Sequence, residues 1–271
     1  MLLLHLVISQ NSFLKSFRDN IKLMKKSLYL AATICLITLL SFVLQPAHIT
    51  VFLAGDSTMA IKDTRAYPET GWGMPFQYMF DSTVTVTNLA KNGRSTRTFI
   101  TEGLWKMIDD NLKPGDYVMI QFGHNDEVPT KPTATTPLQF HDNLVKYITD
   151  TRDKKGIPIL ITPVARRKFD EHGIIQGTHD EYSAIVRTVA TEQNVPLIDL
   201  DKESQAMLQN YGAEVSKLFY NHLAPGEHPN YPKGAADDTH FNELGARKMA
   251  EIVLGDIRSL KLELTSRIAH K

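Results

Sequence analysis

Five short runs rich in apolar and β-branched residues recur after residue 48: Thr50–Ala54, Val84–Asn88, Tyr117–Phe122, Ile157–Thr162 and Pro196–Asp199. Turn residues bound them; Pro114-Gly115-Asp116 leads into the third, and Gly156 ends a helix before the fourth. Between the third and fourth runs, Phe140, Leu144, Tyr147, Ile148 and Thr151 fall on one stripe at helical spacing. Glu181–Gln193 repeats that period with Tyr182, Ile185, Val186 and Val189, and Asn242 predicts an N-cap for a last helix carrying Leu244, Met249 and Ile252 or Val253. Strands alternating with helices predict a parallel sheet covered on both faces. Right-handed crossovers leave few topologies. The expected fold is α/β: a flavodoxin-like, doubly wound, three-layer α/β/α arrangement with a five-stranded parallel sheet.

Three stretches break the alternation: Lys62–Gly73, Glu127–Pro137 and Leu218–Asp238, the last rich in Pro and Gly. Loops this long inside a compact domain are often functional. The amino terminus differs in kind. Leu28–Leu44 is almost continuously apolar and follows Lys25 and Lys26, which describes a secretory signal. Cleavage is expected at Ala47, although Gln45 fits the small-residue rule poorly. The segment is slightly long for a signal core and slightly short for a span, so an uncleaved anchor is the alternative. Residues 1–23 form no clear element, and Met24 is the expected start. The expected organisation is residues 1–47 as an N-terminal extension with a signal peptide or anchor, and 48–271 as a single domain, without internal repeat or linker. The mature protein is expected to begin near His48 and to be extracytoplasmic, periplasmic or secreted.

Composition narrows the reading. The chain has 271 residues, enough for one sizeable core or two small ones. Lys+Arg and Asp+Glu number 30 each, so no basic excess points to nucleic acid and no acidic run to a solvating tail. The single cysteine, Cys35, excludes an intrachain disulfide framework and a multi-cysteine metal site.

The candidate chemistry gathers at strand ends. Gly55-Asp56-Ser57 follows the first run, placing Ser57 at the carboxyl edge of the sheet, where such folds bind ligands; the same residues are ordinary turn formers. Asn92-Gly93 follows the second run and fits a hairpin turn, but its flanks do not alternate as paired strands. A glycine there offers its N–H to a ligand without side-chain obstruction. After the third run, Asn125 in Phe122-Gly123-His124-Asn125-Asp126 supplies either an N–H donor at the same edge or a satisfied turn amide. Asp237-Asp238-Thr239-His240 precedes the last helix. A hydrolytic serine needs a base, and the base an orienting carboxylate; Asp and His three residues apart meet that need, though such pairs are common on solvated loops. A third and fourth metal ligand do not assemble around the pair. The Gly-x-Ser-x-Gly elbow is missing around Ser57, against the α/β-hydrolase fold.

In this order, Gly55-Asp56-Ser57, Gly93, Gly123-His124-Asn125-Asp126 and Asp237-x-x-His240 resemble the four blocks of the SGNH (GDSL-like) hydrolase superfamily over nearly all of the chain after residue 48. Thr70-Gly71-Trp72-Gly73, Asn92-Gly93-Arg94-Ser95, Asp238-Thr239-His240-Phe241 and Pro225–Pro232 are similar to its rhamnogalacturonan acetylesterase branch. The resemblance implies a single SGNH hydrolase domain and a carbohydrate esterase acting on an acetylated oligo- or polysaccharide, most simply rhamnogalacturonan in pectin. It implies Ser57 as nucleophile, His240 as base, Asp237 as its orienting carboxylate, and the Ser57 N–H, Gly93 N–H and Asn125 amide as oxyanion donors. It implies no cofactor, no metal and no nucleic-acid partner, and membrane contact only through an uncleaved N-terminal segment. Asp238 is the alternative carboxylate by proximity. Asp56 reads as a turn or network residue, and Arg94 either steadies its loop or meets an acidic sugar. Trp72, Tyr67, Tyr220 and Tyr231 pack in the core or line a sugar cleft. A lipase or thioesterase of the same fold is the nearest rival. A silent carbohydrate-binding protein and a metal-dependent phosphoesterase are the more distant ones, the latter without a multi-carboxylate cluster.

Overall fold

A computed structural model describes residues 2–43 and 47–269. The chain divides into Met1–Ala47 and His48–Lys271. The first unit holds one helix, α1 (Leu2–Val43), where the sequence reading expected no element before residue 24. The reason is local: residues 1–45 contain neither glycine nor proline, and Pro46 is the first breaker. Among the described residues, no helix is long and apolar enough to cross a membrane. Leu44 and Gln45, part of the expected signal region, lie outside the described residues.

The second unit runs β1 (Ile49–Gly55), α2 (Gly73–Phe76), β2 (Val84–Asn88), α3 (Thr96–Thr101), α4 (Leu104–Asn111), β3 (Tyr117–Gln121), α5 (Pro137–Asp153), β4 (Ile157–Ile161), α6 (Asp180–Glu192), β5 (Leu197–Ile198), α7 (Leu200–Val215), β6 (Tyr220–Leu223), β7 (Ala235–Phe241) and α8 (Glu243–Ser259). The first five strands form one parallel sheet in the order β2-β1-β3-β4-β5, the doubly wound order expected. Side chains alternate across it. Val51, Leu53, Met119 and Ile159 enter a core under α2, α7 and α8, while Phe52, Ala54, Val118 and Leu160 enter a second core under α3 to α6.

The α5 stripe is buried as its spacing predicts, at Phe140, Leu144, Tyr147, Ile148 and Thr151. Thr136 caps the helix through a capping box with Gln139, and Pro137 opens it. Asn242 caps α8 by accepting from the Gly245 N–H. The α8 stripe, however, is Ala246, Met249, Ala250, Val253, Leu254 and Ile257; Leu244 is exposed, and Val253 rather than Ile252 is fully buried.

The carboxyl-terminal third departs most from the sequence reading. Leu218–Asp238 is not one long loop: β6 and β7 form an antiparallel hairpin. Ala-Ala-Asp-Asp-Thr-His-Phe carries no apolar alternation, so period two is not legible there. Helix α7 buries only Leu200 and Leu208 among its large apolar residues, too thin a stripe to announce a helix.

Leu144 is sealed between α5 and the second core. Leu144→Ala is expected to destabilise the protein by about 2–5 kcal/mol, read as a lowered midpoint in chemical denaturation.

Candidate active site

The chain turns at once beyond β1: the N–H groups of Met59 and Ala60 donate to the Asp56 carbonyl at 3.3 and 3.1 Å. Asp56 is fully buried beneath this turn, and its Oδ1 accepts the Thr58 N–H at 3.0 Å and the Thr58 hydroxyl at 2.9 Å. Burial alone would raise its carboxyl; His124 and Thr58 outweigh burial and hold it at about 2. The His124 Nδ1 lies 3.3 Å from Asp56 Oδ2, and burial pushes that imidazole down to about 4, so it is neutral at neutral pH. Asp56 therefore fixes the turn, and Ser57 stands at its rim.

The segment Thr70–Gly73 binds this turn to the far end of the chain. Trp72 N–H donates to the Thr58 carbonyl at 2.9 Å and Gly73 N–H to that of Met59 at 3.2 Å, while Thr70 N–H donates to the Phe241 carbonyl at 2.8 Å. A Cβ on Gly71 would stand 2.1 Å from the Ala60 carbonyl oxygen, so only glycine permits the approach. Trp72 is buried and donates through Nε1 to Gln121 Oε1 at 2.6 Å; Gln121 in turn donates to the Thr58 hydroxyl at 3.2 Å. Trp72 is thus a core residue.

Beyond β2, Lys91 N–H donates to the Gly55 carbonyl at 3.1 Å and Asn88 Nδ2 to that of Met59 at 2.8 Å, tying the second loop to the first. Gly93 sits at φ +77°, the left-handed region that favours glycine. Arg94 bonds the Asn92 carbonyl at 2.7 Å and Glu102 at 2.9 Å; it steadies the loop. After β3, Asn125 is fixed at both ends of its amide: Nδ2 donates to the Arg94 carbonyl at 3.0 Å, and Oδ1 accepts from Lys131 Nζ at 2.9 Å. That leaves its second N–H free. Among the described residues, the N–H groups of Ser57 and Gly93 have no acceptor.

His240 reaches this edge through an irregularity in the hairpin. Asn221 pairs with Asp237 and the preceding Tyr220 with Phe241, so Asp238, Thr239 and His240 are extra residues bulged out of β7. Within the bulge Asp237 Oδ1 accepts the N–H of Thr239 at 2.7 Å and of His240 at 3.0 Å. Its Oδ2 meets His240 Nδ1 at 2.8 Å, and His240 Nε2 meets Ser57 Oγ at 2.9 Å. Burial would raise the Asp237 carboxyl; the hydrogen bonds and charge of His240 outweigh it and hold it at about 2. Asp238 points elsewhere, to Arg167 at 2.7 Å and His222 at 2.8 Å.

Ser57, Gly93, Asn125 and His240 line one pocket of about 470 Å³, with Asp237 behind His240. Glu69, Asn92, His124, Lys131, Arg166 and Thr239 complete its wall, which carries no aliphatic or aromatic hydrocarbon side chain. Glu69 and Lys131 come from two stretches that break the strand-helix alternation, and Arg166 follows β4 at the same sheet edge; position relative to strand ends was the available signal for all three. Tyr220 is buried and donates to the Ala165 carbonyl at 3.1 Å, so it is not a cleft residue. Tyr67 is exposed, and the half-buried Tyr231 donates to the Ala66 carbonyl at 2.8 Å. Such a serine–imidazole–carboxylate chain, in one pocket with three residues that carry unpartnered N–H groups among the described residues, can perform acyl transfer.

Residues 53–248 match the model of the GDSL-like Lipase/Acylhydrolase family. The chain is 41% identical over 224 residues to the rhamnogalacturonan acetylesterase RhgT of Bacillus subtilis, covering 82% of this chain and 95% of that one. It is 35% identical to a probable rhamnogalacturonan acetylesterase, YesY, of the same organism, covering 80% and 96%. The crystal structure of the Bacillus subtilis protein YxiM superposes with a TM-score of 0.69 at 27% identity, covering 81% of this chain and 59% of that one.

The Asp237 carboxyl should titrate near 2 by carboxyl-carbon NMR, and His240→Gln should raise that midpoint toward the ordinary carboxylate range. Because the folded value is depressed, the contribution of this group to stability is complete above the unfolded midpoint of about 4 and is lost as pH falls toward 2. An unchanged midpoint in His240→Gln would show that the imidazole does not hold the carboxylate.

Proposed function

The chain belongs to the GDSL-like lipase/acylhydrolase family and is a serine carboxylic ester hydrolase, and on that premise we propose that it is an exported carbohydrate esterase that removes acetyl groups from rhamnogalacturonan. One observation carries the reading: the Ser57–His240–Asp237 chain opens into a pocket walled by polar groups and glycine. Two relatives more than 30% identical over most of the chain, one named and one probable rhamnogalacturonan acetylesterase, support the substrate.

In the proposed mechanism Ser57 Oγ attacks the acetyl carbonyl while His240 Nε2 takes its proton. Asp237 keeps the other imidazole nitrogen protonated and stabilises the imidazolium. The N–H groups of Ser57 and Gly93 and the free N–H of Asn125 receive the oxyanion. A donor of this kind is worth about 3–4 kcal/mol where measured, and Lys131 and the Arg94 carbonyl hold the Asn125 amide in the useful orientation. As the bond to the sugar oxygen breaks, the imidazolium protonates that oxygen and the sugar leaves as the alcohol; water, deprotonated by the same imidazole, attacks the acetyl-Ser57 ester and releases acetate and the free serine.

Long acyl chains need an extended apolar pocket, and the wall around Ser57 offers none. Turnover should therefore fall from acetyl to butyryl to octanoyl esters. Ser57→Ala should lower kcat on acetyl esters by roughly 10^5–10^6-fold. Asp237→Asn should cost about 10^4-fold, and Asp238→Asn, whose partners are Arg167 and His222, less than about tenfold. Octanoyl esters turning over faster than acetyl esters would establish a lipase, and an alanine variant as active as the parent would remove Ser57 from the chemistry. Acetylated rhamnogalacturonan bound without release of acetate would point to a silent binding protein.

Lys25 and Lys26 before the apolar run support export. Terminal sequencing of exported protein is expected to find a start near His48. Residues 24–44 retained on exported, membrane-bound material would establish the anchor.

A further inference from the structure

The pocket at Ser57 does not end there. It shares Glu69 with a neighbouring cleft of about 510 Å³, lined by Lys62, Tyr67, Tyr78 and Arg247 among others. That cleft in turn shares Pro75, Tyr78 and Arg247 with a third of about 560 Å³, where Arg258 lies. Neighbouring clefts thus share wall residues in series, from the pocket at Ser57 to Arg258 on α8.

The charges along them are uneven. Lys62 is committed to Glu69 at 2.6 Å and to Asn92 at 2.9 Å. Asp63 pairs with Arg65, and Glu251 with Lys248, each at 2.9 Å. Glu243 accepts the Tyr67 hydroxyl at 2.9 Å. Arg247 and Arg258 are exposed, and their guanidinium groups have no hydrogen-bond or ion-pair partner among the described residues. They are three helical turns apart on α8, hence on one face and about 16 Å from each other along the axis. Guanidinium groups pair bidentately with carboxylates. Tyr67 and Tyr78 are 46% and 77% exposed, offering flat apolar faces with a polar rim beside the two cations.

We propose that these adjoining clefts are a binding site for the uronate-bearing backbone of the substrate: Arg247 and Arg258 engage two of its carboxylates while Tyr67 and Tyr78 receive sugar faces, so that the acetylated unit is delivered to Ser57. The inference rests on the esterase reading above and specifies which surface selects an acidic polymer over a neutral one. Arg247 is the inner contact and Arg258 the outer, so short oligosaccharides engage the first and longer ones both.

The test compares wild type with Arg247→Gln, Arg258→Gln and the double variant. Substrates are acetylated rhamnogalacturonan oligosaccharides and a neutral acetylated xylo-oligosaccharide. The double variant is expected to raise KM for the acidic substrate about tenfold more than for the neutral one, with kcat on the acidic substrate within about twofold of wild type; KM shifts equal on both substrates would overturn the proposal. A second readout does not require turnover. Calorimetric titration with de-esterified oligogalacturonate should show binding to wild type that the double variant loses. No binding by wild type, or equal binding by the variant, overturns the proposed site even if the esterase is active. Failure of wild type to release acetate from any ester, with oligogalacturonate still bound at the arginines, would remove the esterase reading and leave the binding site standing.

Discussion

The contact between Ser57 and His240 joins residues 183 positions apart, and it depends on a segment that belongs to neither. Thr70–Gly73 donates on one side to the Thr58 and Met59 carbonyls and on the other to the Phe241 carbonyl. The serine turn and the histidine bulge are thereby fixed to one short piece of backbone, over a buried indole that reaches Gln121 on the central strand. The serine turn and the histidine bulge are held in place here by main-chain hydrogen bonds. Gly71 is the point where this arrangement tolerates no side chain.

What was legible in the sequence followed from burial. The strands of a parallel sheet are covered on both faces and so read as apolar runs; Val84–Asn88 matches its run from end to end, and the others differ from theirs by a single residue at one end or at both. The α5 stripe was legible because one face of a long helix meets the core. The hairpin was not, because β7 is polar and partly open, and its bulge obeys no period. Asp237 and His240 were read as a pair on a loop; the structure places them on a strand interrupted by extra residues, with Asp237 Oδ2 2.8 Å from His240 Nδ1. Trp72 was read as packing in the core or lining a cleft, and only three dimensions show it entirely enclosed.

Behind the pocket runs a polar series whose members no local pattern along the chain brings together. Asp56 lies against His124, whose ring centre is 4.3 Å from that of His179; His179 meets Glu127 at 2.8 Å, and Glu127 pairs with Arg166 at the pocket wall. Burial would raise the Glu127 carboxyl, and His179 and Arg166 outweigh it. The series links the first, third and fourth strand ends, by close contact of Asp56 with His124 and of His124 with His179, and by hydrogen bonding and charge from His179 through Glu127 to Arg166.

The distance along the chain between Ser57 and His240 also sets an order in time. A polypeptide emerges from the ribosome amino end first, and the sheet strands β1 to β5 are all present before residue 200. The serine turn can form on that early sheet, yet its imidazole partner arrives only with β7, within the last forty residues of the chain. Long-range pairings of this kind form late because loop closure must precede them. Fragments ending before β7 therefore carry the serine turn without the imidazole that meets Ser57 Oγ in the complete fold.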